Sequence, residues 1–477
     1  GLFRAKNMTC SKMIKIFASI FLILFVNNGF SATKNPNIII FLVDDLGWMD
    51  IGCHGSKFYK TPNIDRLAAE GVRFTDAYAA CAVCSPTRAS ILTGKYPARL
   101  LLTNWLPAGR WDSNAKLYEG RFLRSLPPEE ITLAEALRNK GYSTAHIGKW
   151  HLGGPPFSLP EHHGFDVNIA GNSHGAPGSY FYPYAGDWKI PTTGKRAKWN
   201  TLKDGKKGEY LTDRLTDEAI KFVKENKEKP FFLHLSHYAV HTPLQSKKEL
   251  TEKYQKIPKS KRQGNPIYAA MVESVDQSLG RISDLLKEES IDDETLIIFT
   301  SDNGGFAKAT DNFPLRANKG AYYEGGIRVP LIVRWPSKIK KGKLIDTPVI
   351  SPDIYPTCLA AANSNLKDGQ ICDGINLLPV IMENHKIDRS SIYWHFPHYN
   401  GHPSSFPSSV IRKGEWKLIE AFDPSKVELF NLNDDISEKQ DLAEIRTDIR
   451  DQLLSELNSW RKEVGAEMMK INQRKQN

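Results

Sequence analysis

Two apolar runs constrain the fold of this chain more than any other feature of its sequence. Residues 37–43 read Asn-Ile-Ile-Ile-Phe-Leu-Val and are followed by an Asp-Asp pair, while residues 295–301 read Thr-Leu-Ile-Ile-Phe-Thr-Ser and are followed by Asp-Asn. Continuous apolar runs rich in β-branched residues are typical of strands buried on both faces in a parallel sheet. Binding sites of α/β folds lie at the carboxyl ends of such strands. We therefore predict an α/β fold with polar groups gathered at one edge of its sheet.

The polar groups after the two runs are candidate metal ligands. They are Asp44, Asp45, Asp302 and Asn303. Their donor atoms are all oxygens, which suits Ca²⁺ or Mg²⁺ better than zinc, and the amide with a possible bidentate carboxylate favours Ca²⁺. Neighbouring side chains on a strand point to opposite faces, so the Asp pair can meet one ion only if the chain turns there, as Gly47 would permit. The alternative is a pair of turn-capping aspartates.

A cysteine opens the third notable segment, Cys84-Ser-Pro-Thr-Arg88, which leads into an apolar run. Proline is tolerated in a first helical turn, so the pattern predicts a helix that begins near the cysteine. The amides of such a turn suit an anion, and the guanidinium of Arg88 matches a tetrahedral oxyanion. Chemically this is a thiol beside an anion site. A buried structural cysteine before an ordinary helix is the alternative.

The wider pattern resembles a known family. Cys-x-Pro-x-Arg followed by Ala-Ser-Ile-Leu-Thr-Gly is similar to the signature of the type I, formylglycine-dependent sulfatases. Further matching motifs are Gly-Lys-Trp-His-Leu-Gly at 148–153, His-Thr-Pro at 241–243 and Asn-Lys-Gly at 318–320 with Glu-Gly-Gly-Ile-Arg-Val-Pro at 324–330. The resemblance extends from about residue 36 to about residue 443. It implies an alkaline-phosphatase-like α/β fold, with a large mixed, mainly parallel sheet flanked by helices and a smaller C-terminal subdomain.

The resemblance also implies roles for individual residues. Cys84 would be oxidised to formylglycine (3-oxoalanine), whose hydrate attacks sulfur, and it would join Asp44, Asp45, Asp302 and Asn303 around the divalent cation. The remaining catalytic residues implied are Arg88, Lys149 and Lys319, which hold the sulfate, His241 at the leaving-group oxygen and His151 as the base that removes a proton from the formylglycine. A formylglycine-generating enzyme is the implied maturation partner.

Substrate contacts are predicted in three regions. The Trp-, Gly- and Pro-rich segment 101–127 offers Trp105 and Arg110, and the segment 154–210 offers His174. From about residue 385, short alternating strands and a helix predict a small antiparallel sheet plus helix, in which His395 belongs to an aromatic cluster. Aromatic-rich loops and predicted export suggest a sulfated carbohydrate as substrate. The alternatives are a phosphate or phosphonate ester hydrolase of the same superfamily and a non-catalytic secreted glycan-binding protein.

The N-terminus predicts export. A charged region from Met8, an apolar run at 14–26 and small residues near position 31 are typical of a cleavable signal peptide, whereas a membrane anchor would need a longer run. The predicted organisation is an extension with signal peptide at 1–32, a catalytic domain at 33–384 and a C-terminal subdomain at 385–477. We expect a secreted or periplasmic protein without stable membrane insertion.

Charge and cysteine content limit the partners. The formal net charge of +10 includes two lysine-rich stretches, 195–207 and 247–262, which are either solvated surfaces or a surface that attracts polyanions. No nucleic-acid-binding motif accompanies them. Besides Cys84 and the Cys10 of the predicted signal peptide, four cysteines remain that an exported protein could pair: Cys53, Cys81, Cys358 and Cys372. Cys358 and Cys372 are the expected pair by proximity, although sequence does not fix connectivity.

Overall fold

Strand β1 (Asn37–Val43) lies in the middle of the fold, and all of its side chains are buried. The computed structural model describes residues 35–107, 114–189, 196–199, 201–202 and 204–473. The predicted signal peptide, Arg110 and part of the lysine-rich stretch 195–207 lie outside these residues.

β1 belongs to an eight-stranded sheet. Its other strands are β2 (Val72–Phe74), β3 (Ser143–Gly148), β4 (Val167–Ile169), β5 (Phe231–Ser236), β6 (Thr295–Ser301), β7 (Leu331–Arg334) and β8 (Lys343–Ile345). The spatial order is β8-β2-β7-β6-β1-β5-β3-β4, and every neighbouring pair is parallel except the two pairs that involve β7. The predicted large, mixed and mainly parallel sheet is therefore confirmed.

Most helices of the described residues cover the two faces of this sheet, and the last of them packs on a smaller sheet instead. The helices are α1 (Pro62–Glu70), α2 (Cys84–Thr93), α3 (Pro97–Leu100), α4 (Leu133–Asn139), α5 (Leu211–Asn226), α6 (Lys248–Gln255), α7 (Pro266–Glu288), α8 (Glu324–Ile327), α9 (Ile354–Ala361), α10 (Leu378–Glu383) and α11 (Thr447–Glu463). Short 3-10 helices cover Gly52–His54, Pro160–His163, Lys259–Lys261 and Ser351–Asp353, and short strands pair Ala77–Tyr78 with Val349–Ile350, Leu117–Tyr118 with Lys470–Ile471 and Asp187–Lys189 with Arg196–Lys198.

Alternation along β1 divides the core into two layers. Ile39, Phe41 and Val43 pack in one cluster with apolar side chains of α1, α5 and α7. The side chains between them, at positions 38, 40 and 42, pack in a second cluster with α2, α4 and α9. Successive side chains of a strand point to opposite faces, so an unbroken apolar run is needed to fill both layers.

A smaller antiparallel sheet follows in the chain. It consists of β9 (Ser391–Phe396), β10 (Ser408–Lys413), β11 (Trp416–Phe422) and β12 (Ser425–Asn431), joined in that order. Its core includes Trp394 together with Leu457 and Trp460 of α11. The same cluster contains the segment from Tyr78 to Val83, which leads to Cys84. The predicted small antiparallel sheet with a helix is confirmed.

Buried charges join the small sheet to the chain around α8. Lys417 of β11 donates hydrogen bonds to Glu324 of α8 at 3.0 Å and to Glu438 at 2.7 Å. Arg412 of β10 donates to Asp76 at 2.6 Å, and Arg328 donates to the same carboxylate at 2.5 Å. These groups are almost fully buried, apart from the partly exposed Asp76, so each charge depends on its partners.

The five cysteines within the described residues are all free. The expected Cys358–Cys372 bridge is therefore wrong for this structure. Cys358 lies on α9 inside the second core cluster, whereas the Cys372 thiol lies 3.4 Å from the carbonyl oxygen of Gly94. Sequence proximity did not predict where the intervening chain would place the two side chains. Among the described residues, no helix is long and apolar enough to cross a bilayer.

Candidate active site

The two acidic sequence segments meet at the carboxyl edge of the large sheet. β1 and β6 are parallel neighbours in which Val43 pairs with Ser301, so the residues that follow each strand emerge side by side. The backbone amide of Asp45 donates to Asp302 Oδ1 at 3.1 Å. Asp45 has φ 59°, in the left-handed region, so the chain turns at this residue and both aspartates can face the same space.

Gly47 has a different role from the one expected. A Cβ atom at this position would lie 2.3 Å from Asn312 Oδ1 and 2.7 Å from Asp50 Oδ2, so glycine is required by the close approach of these side chains. The Gly47 amide donates to the same Asp50 oxygen at 2.8 Å. The hydroxyl of Tyr268 lies 2.6 Å from Asp50 Oδ2 and 3.0 Å from the carbonyl oxygen of Asp45. Asp50 and Tyr268 thus hold the turn, and the sequence analysis missed both.

Three carboxylates at this edge each pair with a cation from another part of the chain. Lys149 Nζ lies 2.6 Å from Asp44 Oδ2, and Lys319 Nζ lies 2.7 Å from Asp45 Oδ1. Arg88 donates to Asp302 Oδ2 from Nε at 3.0 Å and from Nη2 at 2.7 Å. All six side chains are almost fully buried. The three carboxylates and three cations cancel in formal charge, which explains how this many ionised groups can share a buried region.

The oxygen set fits a hard divalent cation. Asp44 Oδ1 and Asn303 Oδ1 are buried and accept no hydrogen bond, and buried oxygens of this kind usually have a partner. Ligand atoms of Asp44, Asp302 and Cys84 lie within 4.8 Å of one another, as do those of Asp45, Cys84 and His241. Burial and the neighbouring Asp302 raise the pKa of Asp44 well above its ordinary value, although Lys149 and Arg88 act in the opposite direction. Buried carboxylate and amide oxygens at one edge of the sheet, two of them without a hydrogen bond, are the ligand type that Ca²⁺ or Mg²⁺ binds.

Cys84 is the first residue of α2 and lies at the centre of these groups. Its side chain is 3% exposed and forms part of a cavity wall. Burial raises the pKa of the Cys84 thiol to about 11, although Lys149 and Lys319 act in the opposite direction. The unmodified thiol is therefore neutral near pH 7, and a neutral thiol is a poor nucleophile.

Two histidines border the same space, and a contact with a backbone carbonyl oxygen fixes the orientation of each ring. His151 Nε2 contacts the carbonyl oxygen of Leu106, while its Nδ1 is buried without a hydrogen-bond partner. Because a carbonyl oxygen only accepts, Nε2 carries the proton and Nδ1 presents a lone pair. His241 Nδ1 lies 2.8 Å from the carbonyl oxygen of Thr242, which turns Nε2 toward Asp45 Oδ2 at 3.7 Å. Burial lowers the pKa of His151 well below its usual value, so this ring is neutral and able to accept a proton.

A cavity of about 740 Å³ opens over these groups. Its wall combines the site residues with several loops: Asp45, Cys84, Trp105, Leu106, His151, the segment 175–178, residues 241–243, residues 306–308, Lys319 and residues 400–403. Of the residues predicted to contact substrate, Trp105 thus forms part of the cavity wall. His174 does not line the cavity itself, although the next residue, Gly175, does.

The structure does not bring His395 to the cavity. Its ring is buried within the small sheet, where Nδ1 lies 2.7 Å from Ser409 Oγ and Nε2 lies 2.8 Å from the carbonyl oxygen of Glu467. The loop between β9 and β10 reaches the cavity instead. It contributes His402, whose ring lies 6.1 Å from that of Phe306 and whose Cβ approaches the position that a Gly320 side chain would occupy.

His402 and Lys308 line the cavity but were missed by the sequence analysis. Both lie on loops that follow a predicted strand, and loops at strand ends often carry binding residues. This position in the chain is the sequence feature that could have identified them. Lys308 follows the Asp302–Gly305 turn after β6, and His402 belongs to a Gly-His-Pro triplet after β9. The aromatic cluster at 394–399 pointed to the strand itself, whereas the residues that line the cavity, 400–403, follow it.

Comparison with known proteins gives consistent matches. A family model described as Sulfatase matches residues 36–364, and one described as N-sulphoglucosamine sulphohydrolase, C-terminal, matches residues 317–463. Human steryl-sulfatase is 33% identical over 423 residues, covering 73% of this chain and 70% of that protein. A sulfatase of Formosa agariphila is 31% identical and covers 90% and 89%, and human N-acetylgalactosamine-6-sulfatase is 32% identical and covers 76% and 69%.

Solved structures agree with the family models. The crystal structure of Ps i-CgsB in complex with k-i-k-neocarrahexaose has a TM-score of 0.76 and 34% identity, with 90% of this chain and 93% of that chain covered. The phosphonate monoester hydrolase of Agrobacterium radiobacter has a TM-score of 0.65 at 21% identity, covering 90% and 96%, so it shares the fold alone.

Proposed function

Because the chain belongs to the sulfatase family, we propose that it hydrolyses sulfate monoesters carried by a sulfated carbohydrate. The observation that carries the proposal is the arrangement around Cys84, where Arg88, Lys149 and Lys319 pair with three buried carboxylates, and Cys84, Asp45 and Lys319 line one cavity. Cations held in a buried site stabilise negative charge on a reacting group far better than cations in water do. A sulfate monoester brings such charge to the site.

The side chains divide into binding and proton-transfer roles. Arg88, Lys149 and Lys319 hold the sulfate oxygens and stabilise the charge that spreads over them as the ester bond breaks. His241 directs Nε2 toward the cavity while Nδ1–H donates to Thr242, so only the ring protonated on both nitrogens can pass a proton from Nε2 to the leaving alcohol. His151 offers its Nδ1 lone pair beside position 84, where it accepts a proton from the modified residue.

The proposed cofactors are Ca²⁺, with Mg²⁺ as the alternative, and a formylglycine derived from Cys84. Asp44, Asp45, Asp302, Asn303 and residue 84 would hold the cation. When bound, the cation would supply positive charge that lowers the pKa of a neighbouring hydroxyl. The formylglycine would supply a hydroxyl nucleophile as its hydrate, a role that the neutral thiol of Cys84 does not fill.

A carbohydrate substrate is supported by the lining of the cavity. Its wall combines aromatic, amide and charged side chains, including Trp105, Asn400, His402 and Lys308. Pockets that fix a polar ligand combine apolar surface with a few placed polar groups. Relatives whose names state a sugar sulfate, such as the N-acetylgalactosamine-6-sulfatases, point to the same substrate class.

The other two functions are less well supported. Both groups of potential metal ligands found among the described residues include Cys84, so they surround one centre. A phosphate ester hydrolase with two metals would need a further ligand set. A glycan-binding protein without activity would have no use for His151 Nδ1, which is buried and without a hydrogen bond.

We also propose the predicted organisation and location: a signal peptide within residues 1–32, a catalytic domain at 33–384 and a C-terminal subdomain at 385–477. The protein would be secreted or periplasmic. A formylglycine-generating enzyme would act on it during maturation.

The test combines mass spectrometry with hydrolysis. The chain is produced together with a formylglycine-generating enzyme, and the peptide that contains position 84 is weighed. Sulfate release is then measured from a panel of sulfated glycans and from an aryl sulfate. We expect an aldehyde at position 84 and release from at least one glycan. Hydrolysis with an unmodified thiol would overturn the mechanism, and activity on the aryl ester alone would overturn the substrate class.

A further inference from the structure

A basic surface runs from the cavity mouth along three neighbouring segments of the chain, residues 56–60, 255–263 and 306–311. Its cations are Lys57, Lys60, Lys256, Lys259, Lys261, Arg262 and Lys308. The lysines are exposed and Arg262 is partly exposed. These three segments contain a single carboxylate, Asp311.

Hydrogen bonds hold the three segments together as one surface. Ser56 Oγ donates to Gln263 Oε1 at 2.7 Å, which joins the first segment to the second. The backbone amide of Asp311 donates to the carbonyl oxygen of Gln263 at 3.1 Å, and Gly264 forms a β-bridge with Thr310. The third segment contains Lys308, which lines the cavity. The basic surface is thus continuous with the cavity wall.

The cations of this surface lack acidic partners among the described residues. None of the seven forms an ion pair in the structure, and Arg262 donates only to the carbonyl oxygens of Ile257 and Gln255. The neighbouring lysines of α6 behave differently, since Lys253 pairs with Glu273 at 2.8 Å and Lys248 with Glu252 at 3.7 Å. Uncompensated charge of one sign along a surface produces a potential that attracts polyanions.

We propose that this basic surface binds the part of a sulfated polysaccharide that extends beyond the cavity. The inference rests on the proposed function and specifies its substrate as a polymer with more than one sulfate group. A polymer whose reacting sulfate lies near Cys84 must leave through the cavity mouth, where Lys308 lies. Lysine ammonium groups on flexible stems act as point charges that adapt to irregularly spaced anions.

The test measures binding with a matched control. Both variants are made in full-length protein that carries Cys84→Ala, so that turnover does not change the ligand. The test variant is K256Q/K259Q/K261Q. The control is K338Q/K340Q/K341Q, which removes three exposed lysines at the opposite edge of the sheet. The backbone amide of Ser337 donates to the carbonyl oxygen of Asp293, which places this segment next to the amino end of β6. The cavity lies at the carboxyl end of the same strand.

The probes are dextran sulfate and uncharged dextran. We expect the test variant to bind dextran sulfate about fivefold or more weakly and with a smaller salt dependence, while the control stays within about a factor of two. Uncharged dextran should bind neither protein detectably. Equal effects of the two triple variants, or no effect of either, would overturn the proposal.

A second comparison separates polysaccharide from other polyanions. Double-stranded DNA is titrated in the same way, and binding as tight as that of dextran sulfate, with the same loss in the test variant, would overturn the assignment to polysaccharide. In the mature enzyme, which lacks the Cys84→Ala substitution and has Cys84 oxidised to formylglycine, the test variant should lose more activity on a sulfated polysaccharide than on a single sulfated sugar. Failure of the proposed function would show as absent sulfate release in the parent enzyme, independently of the binding result.

Discussion

Arg88 contacts one carboxylate oxygen of Asp302 through two nitrogens, with Nε at 3.0 Å and Nη2 at 2.7 Å. Its third nitrogen, Nη1, donates to Ser236 Oγ at 2.7 Å and to the carbonyl oxygen of Lys149 at 3.0 Å. One guanidinium therefore joins the ends of β6, β5 and β3.

Replacing Arg88 by lysine should reduce both stability and activity. A lysine keeps the charge but has no planar fork, so buried acceptors on Ser236 and residue 149 lose their donors. We expect the free energy of unfolding to fall by about 1–3 kcal/mol, measured by urea denaturation. We expect kcat/KM to fall by about 10²-fold or more. Lys95→Arg, on a partly exposed pair with Glu130, is the control and should change neither. Unchanged kcat/KM in R88K would contradict the role of Arg88.

His241→Ala should affect substrates according to their leaving group. A sugar alkoxide needs a proton as it departs, whereas an acidic phenol does not, so loss of the Nε2 donor should slow hydrolysis of a sugar sulfate much more. We expect a loss of about 10²- to 10⁴-fold for the sugar ester and a far smaller loss for an aryl sulfate. The measurement is kcat/KM across aryl sulfates of graded phenol pKa. An equal loss for all of them would assign His241 to binding instead.

Calcium should stabilise the protein through the acidic edge of the sheet. Binding to the folded state alone raises stability by about 2.7 kcal/mol when the free ion is at 100 times its Kd. We therefore expect Tm to rise on adding Ca²⁺ and to fall with a chelator. Asp44→Asn should weaken the Ca²⁺-dependent rise, because it removes a charged ligand, whereas the exposed Asp346→Asn should not. A Tm independent of Ca²⁺ and Mg²⁺ would contradict the site.

Acid should destabilise the fold through a buried histidine pair. The Nδ1 atoms of His146 and His234 lie 3.1 Å apart, and both rings are fully buried. Burial lowers the pKa of His146 to about 3 and that of His234 well below its usual value. Above pH 6.5 the two histidines are unprotonated in both the folded and the unfolded state. Below pH 6.5 they take up protons in the unfolded chain but not in the folded chain. Stability is therefore lost as pH falls.

The slope of the free energy of unfolding against pH measures this effect. Each such histidine contributes about 1.4 kcal/mol per pH unit between pH 6.5 and pH 4. His234→Gln should reduce the slope by about that amount, whereas His385→Gln should leave it unchanged because that side chain is 63% exposed. Equal slopes for H234Q and the parent protein would show that the pair is not kept neutral.

Lys417→Met should destabilise the junction between the small sheet and α8. The methionine fills a similar volume but leaves Glu324 and Glu438 buried without their shared cation. Removing one partner of a buried ion pair lowers stability by about 3–5 kcal/mol, which urea denaturation would detect. The exposed Lys426→Met is the control and should change stability little. A small effect of K417M would show that water reaches these carboxylates.

The central strands could be predicted from the sequence because their signal is local. β1 and β6 have the bounds that their apolar runs predicted, 37–43 and 295–301, since a doubly buried strand must be apolar along its whole length. The position of the acidic residues at the strand ends followed from the same runs. The sequence therefore predicted which types of residue meet at this edge of the sheet.

Features that depend on distant partners were not predictable. Residues 72–78 have the β-branched and aromatic pattern of a single strand, but they form two short ones, separated at Thr75 and Asp76. Asp76 is bound there by Arg328 and Arg412, which lie more than 250 residues away in the chain. The predicted position of His395 at the cavity was wrong for a related reason. An alternating strand pattern does not reveal which end of the strand borders the cavity.

The burial of Cys84 also has a consequence for biosynthesis. A folded chain presents this thiol at the base of a cavity under loops from both sheets, where another protein could not enclose the surrounding peptide. Oxidation of Cys84 would therefore have to occur while the chain is still being made or exported. The charge-balanced site would then let an unmodified chain fold as well as a modified one, so a stable, monodisperse preparation would give no information about how many molecules are competent.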